Sequence, residues 1–362
     1  LKLKIIMKVC ILGSGLTSLS LAKTLVNMGI SVDVFYDKKI KKQNNSRTIG
    51  LTKSNIEFFD KNILKLKKIL WDIKKIEIYS ENLKNKNIIN FENNDNRIFS
   101  TLRNNDLYNL LYKDLNKSKF FKLKKIIKYT KIIDQNYGLI INCDLNNLIT
   151  KKFFFKKISK NYNSSAYSGI IRHKKIENNI AIQTFTNLGP IAFLPISNEK
   201  TSIVFSINKE GDINLEQLIR KYNKKYIIKE IGQFSKFELK SSNIRNYCYK
   251  NILAFGDLLH KLHPLAGQGF NMTVRDIKVL SEIIKNRIDH GLELDSSICF
   301  EFEKKTKSNN FIFSNGIDFI YEFFNLERKD KTKTLSNIIQ YLGKNKFTNK
   351  AFTKFADNGL II

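Results

Sequence analysis

The stretch from residue 8 to residue 39 constrains the fold more than any other part of the sequence. It reads KVCILGSGLTSLSLAKTLVNMGISVDVFYDKK: an apolar run, a glycine turn, a segment with a helical period and a second apolar run. This order predicts a strand, a turn, a helix and a second strand, the βαβ unit of a parallel sheet. Because the chain has 362 residues, of which 42% are hydrophobic, we expect a sizeable core and two domains.

The glycine turn, GSGLTS at residues 13–18, contains the first candidate binding residues. A turn between a strand and a helix presents backbone N–H groups at the helix N-terminus, where partial positive charge favours a pyrophosphate. Gly13 and Gly15 permit a tight turn and the close approach of a ligand, and Ser18 keeps the third position small. We predict a dinucleotide site here, with an ordinary strand-to-helix turn as the alternative.

An acidic side chain at the end of the second strand would complete such a site by binding ribose hydroxyls. Asp37 has this position, whereas Asp33 lies in the middle of the strand. A slip of one residue would put Tyr36 at the strand end instead. We assign the ribose contact to Asp37.

A second motif, FGDLLHKLHPLAGQGFNMTVRD, runs from Phe255 to Asp276. Although the chain has only 3 prolines and 16 glycines, Pro264, Gly267 and Gly269 fall within six residues here, ahead of a helical pattern. Such backbone lets a ligand come very close. The motif closely resembles the second FAD fingerprint of class A flavoprotein monooxygenases, and most of all that of the ubiquinone-biosynthesis hydroxylases. The matching residues are Gly256, Asp257, His260, His263, Pro264, Ala266, Gly267, Gln268, Gly269, Asn271 and Asp276.

Two further segments are similar to this family, and weaker similarity spans roughly residues 8 to 330. SRTIGLT, at 46–52, resembles the family's arginine-containing segment, and QTFTNLGPIAFLPIS, at 183–197, resembles a stretch whose turn lies near the substrate cavity. The resemblance implies an α/β fold with an FAD-binding, Rossmann-like parallel sheet and a second, antiparallel β-rich substrate domain. Short alternating strands between residues 164 and 207 favour the same division.

The two domains are expected to interleave along the chain. We place the FAD-binding domain at 1–70, 100–155 and 245–330, and the substrate domain at 71–99 and 156–244. Residues 331–362 are expected to form a C-terminal helical tail.

The resemblance also implies how the chain would hold FAD. Asp257, which follows Gly256, would accept hydrogen bonds from the ribityl hydroxyls. The N–H groups of residues 267–269, which are Gly267, Gln268 and Gly269, would face the flavin edge that gains negative charge on reduction, with Asn271 one turn into the helix.

Four more residues are candidates on the same grounds. Arg47 and Arg103 would lie along the cofactor, and for each a surface cation is the alternative. His263 and Pro264 are the candidate catalytic residues, although shaping the loop is the favoured interpretation of His263.

One segment departs from the family. Where the family has A-D-G-x-x-S-x-x-R, this chain reads CDLNNLITK, with Leu145, Leu148 and Lys151 in place of the glycine, serine and arginine. Because the family's DG pair contacts both FAD and the nicotinamide cofactor, the departure puts efficient use of NAD(P)H in doubt.

The function implied by the resemblance is the FAD-dependent hydroxylation, by NAD(P)H and O2, of the aromatic ring of a polyprenylated phenol in ubiquinone biosynthesis. Other proteins of that pathway are candidate partners. A non-catalytic FAD-binding subunit of a quinone-biosynthesis complex is the alternative, and a dehydrogenase that uses only nicotinamide is disfavoured by the second motif.

The chain has a formal net charge of +30, from 63 Lys and Arg against 33 Asp and Glu. The excess is mostly lysine spread through the sequence, without a nucleic-acid-reading signature, so we expect no nucleic-acid partner. The four cysteines have neither CxxC nor metal-ligand spacing, which favours reduced thiols in a cytosolic protein and no metal site.

No window of the sequence approaches the roughly 18 apolar residues of a membrane span. The expected location is the cytoplasm, with peripheral contact at the inner face of the cell membrane as an open possibility. The aromatic stretch Phe311–Asn325 is the candidate for that contact, and packing between the two lobes is its favoured alternative.

Overall fold

A computed structural model describes residues 8–37, 47–81, 86–92, 97–126, 128–133, 137–208, 213–263 and 267–330. Pro264 and the expected tail at 331–362 lie outside these ranges. The helices are α1 (Leu16–Asn27), α2 (Lys53–Asn62), α3 (Asn104–Leu115), α4 (Tyr129–Ile133), α5 (Leu148–Phe153), α6 (Leu215–Tyr222), α7 (Gln268–Asp289) and α8 (Ser297–Asp330).

The strands are β1 (Lys8–Leu12), β2 (Ser31–Tyr36), β3 (Thr48–Thr52), β4 (Trp71–Ile73), β5 (Lys75–Ser80), β6 (Lys86–Glu92), β7 (Phe99–Arg103), β8 (Phe121–Lys125), β9 (Leu139–Asn142), β10 (Lys157–His173), β11 (Ile180–Thr186), β12 (Gly189–Pro195), β13 (Lys200–Ile207), β14 (Ile228–Ile231), β15 (Ser235–Ile244), β16 (Cys248–Tyr249), β17 (Ile252–Ala254) and β18 (His260–Lys261).

The first sheet has six strands in the order β16-β17-β9-β1-β2-β8. The pairs β17–β9, β9–β1, β1–β2 and β2–β8 are parallel, and the edge pair β16–β17 is antiparallel. Strands β9 and β17 are buried along their whole length, because the inner strands of a parallel sheet are covered on both faces. The predicted βαβ opening and parallel sheet are confirmed.

The second sheet has nine strands, in the order β18-β15-β10-β13-β12-β11-β5-β6, with β14 also paired to β10. Neighbours are antiparallel except for the parallel pair β5–β11. The separate antiparallel sheet is therefore confirmed. Its longest strand begins at Lys157, seven residues before the expected start of the strand-rich region at residue 164.

A third, three-stranded sheet in the order β3-β7-β4 was not expected from the sequence. The sequence of residues 46–70 predicts a polar loop followed by a helix that ends near Trp71. This prediction is wrong, because β3 pairs with β7 and the helix α2 ends already at Asn62. The pairing partner of β3 lies about fifty residues away in sequence, so local composition did not reveal the strand.

The helix α8 lies against the second sheet. Its Phe313 and Ile317 pack with Phe185 of β11 and Met272 of α7 in one apolar cluster. The carboxylate of Asp318 accepts hydrogen bonds from the Tyr162 hydroxyl and, at 3.1 Å, from the Ser241 hydroxyl. Apolar packing and buried polar contacts together fix α8 on the sheet.

The aromatic stretch Phe311–Asn325 is therefore divided between two environments. Phe313 and Tyr321 are buried, whereas Phe311 and Phe319 are 47% and 68% exposed. Within the described residues, no helix is long and apolar enough to cross a membrane.

Candidate cofactor site

Four loops meet at one edge of the parallel sheet. Gly13 follows β1, Asp37 follows β2, Asp144 lies two residues after β9, and Gly256 lies two residues after β17. Because these four strands are neighbours and run parallel, their carboxyl ends open on the same edge. Ligands of open α/β sheets bind at such an edge. The structure thus brings the two sequence motifs together with the departing segment.

The glycine turn has the conformation that its sequence predicts. Gly13 has φ +106°, and its N–H donates to the Phe35 carbonyl at 2.8 Å, which ties the turn to β2. A Cβ on Gly13 would stand 3.3 Å from the Ser18 hydroxyl, so a small side chain at position 18 is needed. A Cβ on Gly15 would meet no described atom within 4 Å. Gly15 therefore borders open space at the N-terminus of α1, as a phosphate cradle requires.

The choice between Asp33 and Asp37 follows from their surroundings. Asp33 is buried, and its carboxylate binds Lys8 at 2.9 Å, Lys124 at 2.7 Å and the Tyr137 hydroxyl at 2.6 Å. Burial acts to raise the pKa of Asp33, but these three partners outweigh burial and lower it. Asp37 is exposed at the strand end. Asp33 therefore stabilises the sheet, and Asp37 remains the candidate for the ribose contact.

Gly256 joins the two motifs. It has φ +65°, and a Cβ there would lie 2.6 Å from the Thr17 side chain of the glycine turn. Only a glycine adopts this positive φ readily and also leaves the Thr17 side chain in place. The following residue, Asp257, is exposed, so its carboxylate is accessible at the edge where the loops meet.

Residues 267–269, at the start of α7, present bare backbone. Gly267 has φ +63° and precedes the first helical residue, Gln268, whose side-chain oxygen is buried and has no hydrogen-bond partner among the described residues. A Cβ on Gly269 would meet no described atom within 4 Å. A buried acceptor without a partner, next to open backbone at a helix N-terminus, is the arrangement of a binding site.

Asn271 holds the start of α7 against β3. Its side-chain oxygen accepts from the Thr52 N–H at 3.0 Å and from the Asn55 amide at 2.8 Å, and its amide donates to the Gly50 carbonyl at 2.8 Å. Its amide also lies 3.4 Å from the Gly267 carbonyl. The Asn271 side chain is buried. Its hydrogen bonds form a clamp between Gly267 and β3, and they are directed to protein groups.

The two arginines predicted from the resemblance lie at one end of the third sheet. Thr48 pairs with Arg103 across β3 and β7, and the Asn104 N–H donates to the Arg47 carbonyl at 2.9 Å. Arg47 is exposed, and Arg103 is half-buried. The structure thus places the two arginines together, although 56 positions separate them in sequence.

His263 is enclosed by aromatic rings. The ring centroids of Tyr162 and Tyr321 lie 4.8 Å and 4.2 Å from that of His263. Burial lowers the pKa of His263 to about 3, so the imidazole is neutral near neutral pH. This environment supports the interpretation that His263 shapes the loop. Pro264 lies outside the described residues, and its role stays a prediction.

The departing segment leaves β9 beside the glycine turn. A Cβ on Gly13 would stand 3.5 Å from the Asp144 N–H. Asn147 caps α5 by accepting from the Thr150 N–H at 2.7 Å, and Leu145 and Leu148 are 39% and 63% exposed. The segment therefore presents two leucines where the family has a glycine and a serine.

Sequence reasoning missed three residues that build the site: Thr17, which contacts Gly256; Asn55, which contacts Asn271; and Tyr321, which contacts His263. Asn55 and Tyr321 are far in sequence from their partners, and no local pattern marks them. Among the described residues, no group of His, Cys, Asp and Glu has the arrangement of a metal site.

The overall fold is that of the FAD-dependent aromatic monooxygenases. The structure superposes on p-nitrophenol 4-monooxygenase PnpA from Pseudomonas putida with a TM-score of 0.78, 12% identity and coverage of 99% of each chain. It superposes on Klebsiella pneumoniae HpxO, solved with FAD and uric acid, with a TM-score of 0.74, 12% identity and coverage of 97% of each chain. The predicted fold class is confirmed.

Comparison of sequences points to a more specific group of proteins than the fold does. The chain is 29% identical over 153 residues to 3-demethoxyubiquinol 3-hydroxylase of Escherichia coli, covering 39% of each protein. It is 22% identical over 235 residues to the mitochondrial ubiquinone biosynthesis monooxygenase COQ6 of Danio rerio, covering 51% of this chain and 48% of the relative. These matches span half or less of the relatives' length. No protein-family profile matches the chain. The predicted resemblance to ubiquinone-biosynthesis hydroxylases is confirmed.

Proposed function

We propose that the chain is an FAD-dependent monooxygenase that hydroxylates the aromatic ring of a polyprenylated phenol in ubiquinone biosynthesis, with NAD(P)H as reductant and O2 as oxidant. The observation that carries the proposal is the contact between the two fingerprint motifs at Gly256 and Thr17, at an edge bordered by the open backbone of Gly15. The names of the sequence relatives support the substrate class.

The described residues fit FAD. The N–H groups at Gly13 and Gly15 would bind the pyrophosphate, and the exposed carboxylates of Asp37 and Asp257 would bind the ribose and ribityl hydroxyls. The backbone of residues 267–269 would face the flavin. FAD, when bound, supplies the oxygen-transfer chemistry, and the protein supplies binding, orientation and exclusion of water.

The substrate ring would bind between the backbone of residues 267–269 and the second sheet. The turn that begins β12, with Gly189 and Pro190, borders a small cavity of about 20 Å³ next to Tyr321 and Phe324. Phe185 and Phe324 stack there with ring centroids 3.5 Å apart. We infer that an aromatic substrate enters this region by separating the two rings.

The proposal predicts that purified protein contains FAD and that Asp257→Ala releases it. Loss of the carboxylate removes a charge-assisted hydrogen bond worth about 1.5–3 kcal/mol, which weakens FAD binding roughly 10- to 100-fold. Flavin absorbance per mole of protein, after dialysis, measures the loss.

Asp289→Ala is the matched control, because Asp289 is an exposed aspartate at the opposite end of α7. Undiminished FAD occupancy in Asp257→Ala would contradict the assignment of the ribityl contact to Asp257.

A second candidate function is favoured by the exposed leucines of the departing segment. A non-catalytic FAD-binding subunit would bind FAD without turnover, and Leu145 and Leu148 would serve as apolar contacts for a partner in a quinone-biosynthesis complex. Anaerobic reduction by NAD(P)H, followed by product analysis with O2 and a short-chain prenyl phenol, separates the two. FAD binding with neither reduction nor product would favour the subunit.

We also infer peripheral contact with anionic membranes through one face of α8. Ile312, Phe319 and Leu326 are 47%, 68% and 53% exposed and repeat every seven residues, so they share a face. A polyprenyl phenol resides in the bilayer, and the net charge of +30 complements anionic headgroups. The cytoplasmic location at the inner face of the cell membrane remains part of this proposal.

Co-sedimentation with vesicles tests the membrane contact. We expect binding to vesicles rich in anionic lipid, weakening as salt rises from low to physiological concentration, because the Debye length falls to about 8 Å. The double variant Phe319→Gln, Leu326→Gln should bind at least about a hundredfold more weakly, since each substitution loses about 1.5–3 kcal/mol of apolar burial. Phe300→Gln, which changes an exposed aromatic residue elsewhere on α8, should bind like the unmodified chain. Equal binding to neutral vesicles would contradict the electrostatic contribution.

A further inference from the structure

A cavity of about 90 Å³ lies on the face of the second sheet that α6 covers. Ile182 and Thr184 of β11 and Phe193 of β12 line it from the sheet. Because side chains alternate along a strand, the neighbouring Phe185 is on the other face, where it packs with Met272 of α7. The sheet therefore separates this cavity from the candidate cofactor site.

The tyrosines that line the cavity already donate their hydroxyl protons elsewhere. Tyr79 donates to Glu77 at 2.8 Å, and Tyr222 donates to Glu81 at 3.2 Å. Tyr226 donates to the Asn178 side-chain oxygen at 3.0 Å. The three tyrosine rings therefore form aromatic walls of the cavity, and their hydroxyl protons are already bound to groups outside it.

A rigid turn holds the remaining wall. The Asn223 side-chain oxygen accepts from the N–H groups of Lys225 at 3.2 Å and Tyr226 at 2.9 Å, and its amide donates to the Tyr226 carbonyl at 2.7 Å. Such a side-chain-to-backbone turn fixes the local conformation. The backbone of Lys225 is therefore fixed beside the cavity.

The amine of Lys225 is the polar group that this arrangement leaves without a hydrogen bond. Its Nζ is buried and has no hydrogen-bond partner in the part of the chain that the structure describes. It lies 5.6 Å from the centroid of the Tyr226 ring. Burial lowers the pKa of Lys225, and the more distant Glu77 and Glu177 oppose that shift. A buried cation without a bonded partner costs folding free energy, which a bound anion offsets.

The ligand chemistry follows from charge and space. Of the two lysines that line the cavity, Lys224 is exposed and Lys225 has the buried amine. One buried amine matches a monoanion, whereas a phosphate dianion needs several donors. Water alone satisfies the amine poorly, because a buried water needs two to four polar partners and the lining tyrosine hydroxyls donate away from the cavity. A cavity of about 150 Å³ holds a benzene ring, so this smaller one suits a body of about four carbons.

We propose that this cavity is a second ligand site, which binds a small monocarboxylate with its carboxylate on Lys225 and its apolar body against Ile182 and Phe193. The site is independent of the flavin chemistry proposed above, because it opens on the opposite face of the sheet.

Butyrate is the probe, and butyramide is its uncharged isostere. Saturation-transfer NMR and calorimetry on the full chain should detect millimolar binding of butyrate and at least tenfold weaker binding of butyramide. Lys225→Met keeps the length of the side chain but removes its charge, and it should weaken butyrate binding at least tenfold. Lys229→Met changes an exposed lysine of β14 that does not line the cavity, and it should stay within about twofold of the unmodified chain.

Thermal unfolding shows whether the Lys225→Met chain is folded. Without ligand, Lys225→Met should raise Tm by a few degrees, because it removes the buried amine, and butyrate should raise Tm only where Lys225 is present. Equal affinity of butyrate for the Lys225→Met chain, or equal affinity of the unmodified chain for butyramide, would overturn the proposal.

Discussion

Replacing Asn271 by leucine should destabilise the protein by about 3–5 kcal/mol. The substitution removes the side-chain hydrogen bonds of Asn271 to the buried Thr52 N–H and the Gly50 carbonyl, and it leaves the Asn55 amide with only the backbone carbonyl of residue 271, at 3.2 Å. Each unsatisfied buried group costs about 1–3 kcal/mol, and leucine has the same number and branching of side-chain heavy atoms, so the loss of hydrogen bonds dominates. Denaturant unfolding of FAD-free protein, read by circular dichroism, measures the change directly.

The matched control is Asn286→Leu, because Asn286 is an exposed asparagine on the same helix, α7. This variant should lie within about 0.5 kcal/mol of the unmodified protein. FAD binding adds a second readout, since the Asn271 clamp positions the backbone of residues 267–269. An Asn271→Leu protein with an unchanged unfolding midpoint would show that the loop is held by other contacts.

The parts of the site that follow from local sequence were predictable. Gly13 and Gly15 stand between an apolar strand and a helix, and the positive φ of Gly13 needs glycine whatever the rest of the fold does. Asp37 follows the end of the same βαβ unit. Such features depend on residues within about thirty positions, so periodicity and turn chemistry reveal them.

The parts that depend on distant contacts were not predictable from patterns. The strand β3 exists because β7 pairs with it, and its five residues resemble a polar loop when read alone. The bond between Asn55 and Asn271 joins positions 216 residues apart. The neutral state of His263 likewise depends on Tyr162 and Tyr321, which reach it from the second sheet and from α8. The family resemblance located His263 and Asn271 in a motif, but only the structure shows which residues they contact.

Gly256→Ala should destabilise the protein by about 2–5 kcal/mol, for two separable reasons. An alanine at φ +65° costs about 1–2 kcal/mol, because a Cβ in the left-handed region crowds the following carbonyl. The same Cβ would lie 2.6 Å from the Thr17 methyl group, and overpacking of this kind adds about 1–3 kcal/mol. Denaturant unfolding gives the total free energy.

Two further variants separate the backbone cost from the clash. Gly291→Ala has nearly the same φ, +69°, but its Cβ would meet no described atom within 4 Å, so it reports the backbone cost alone. Thr17→Ala removes the methyl group and should restore the excess loss of Gly256→Ala over Gly291→Ala, because it relieves the clash and leaves φ unchanged. If the Gly256→Ala chain regains no stability from Thr17→Ala, the contact between the two fingerprint motifs is not what makes glycine necessary at position 256. If Thr17→Ala restores both the stability and the FAD affinity of the Gly256→Ala chain, the close approach of the two motifs is itself part of how the chain would form its cofactor site.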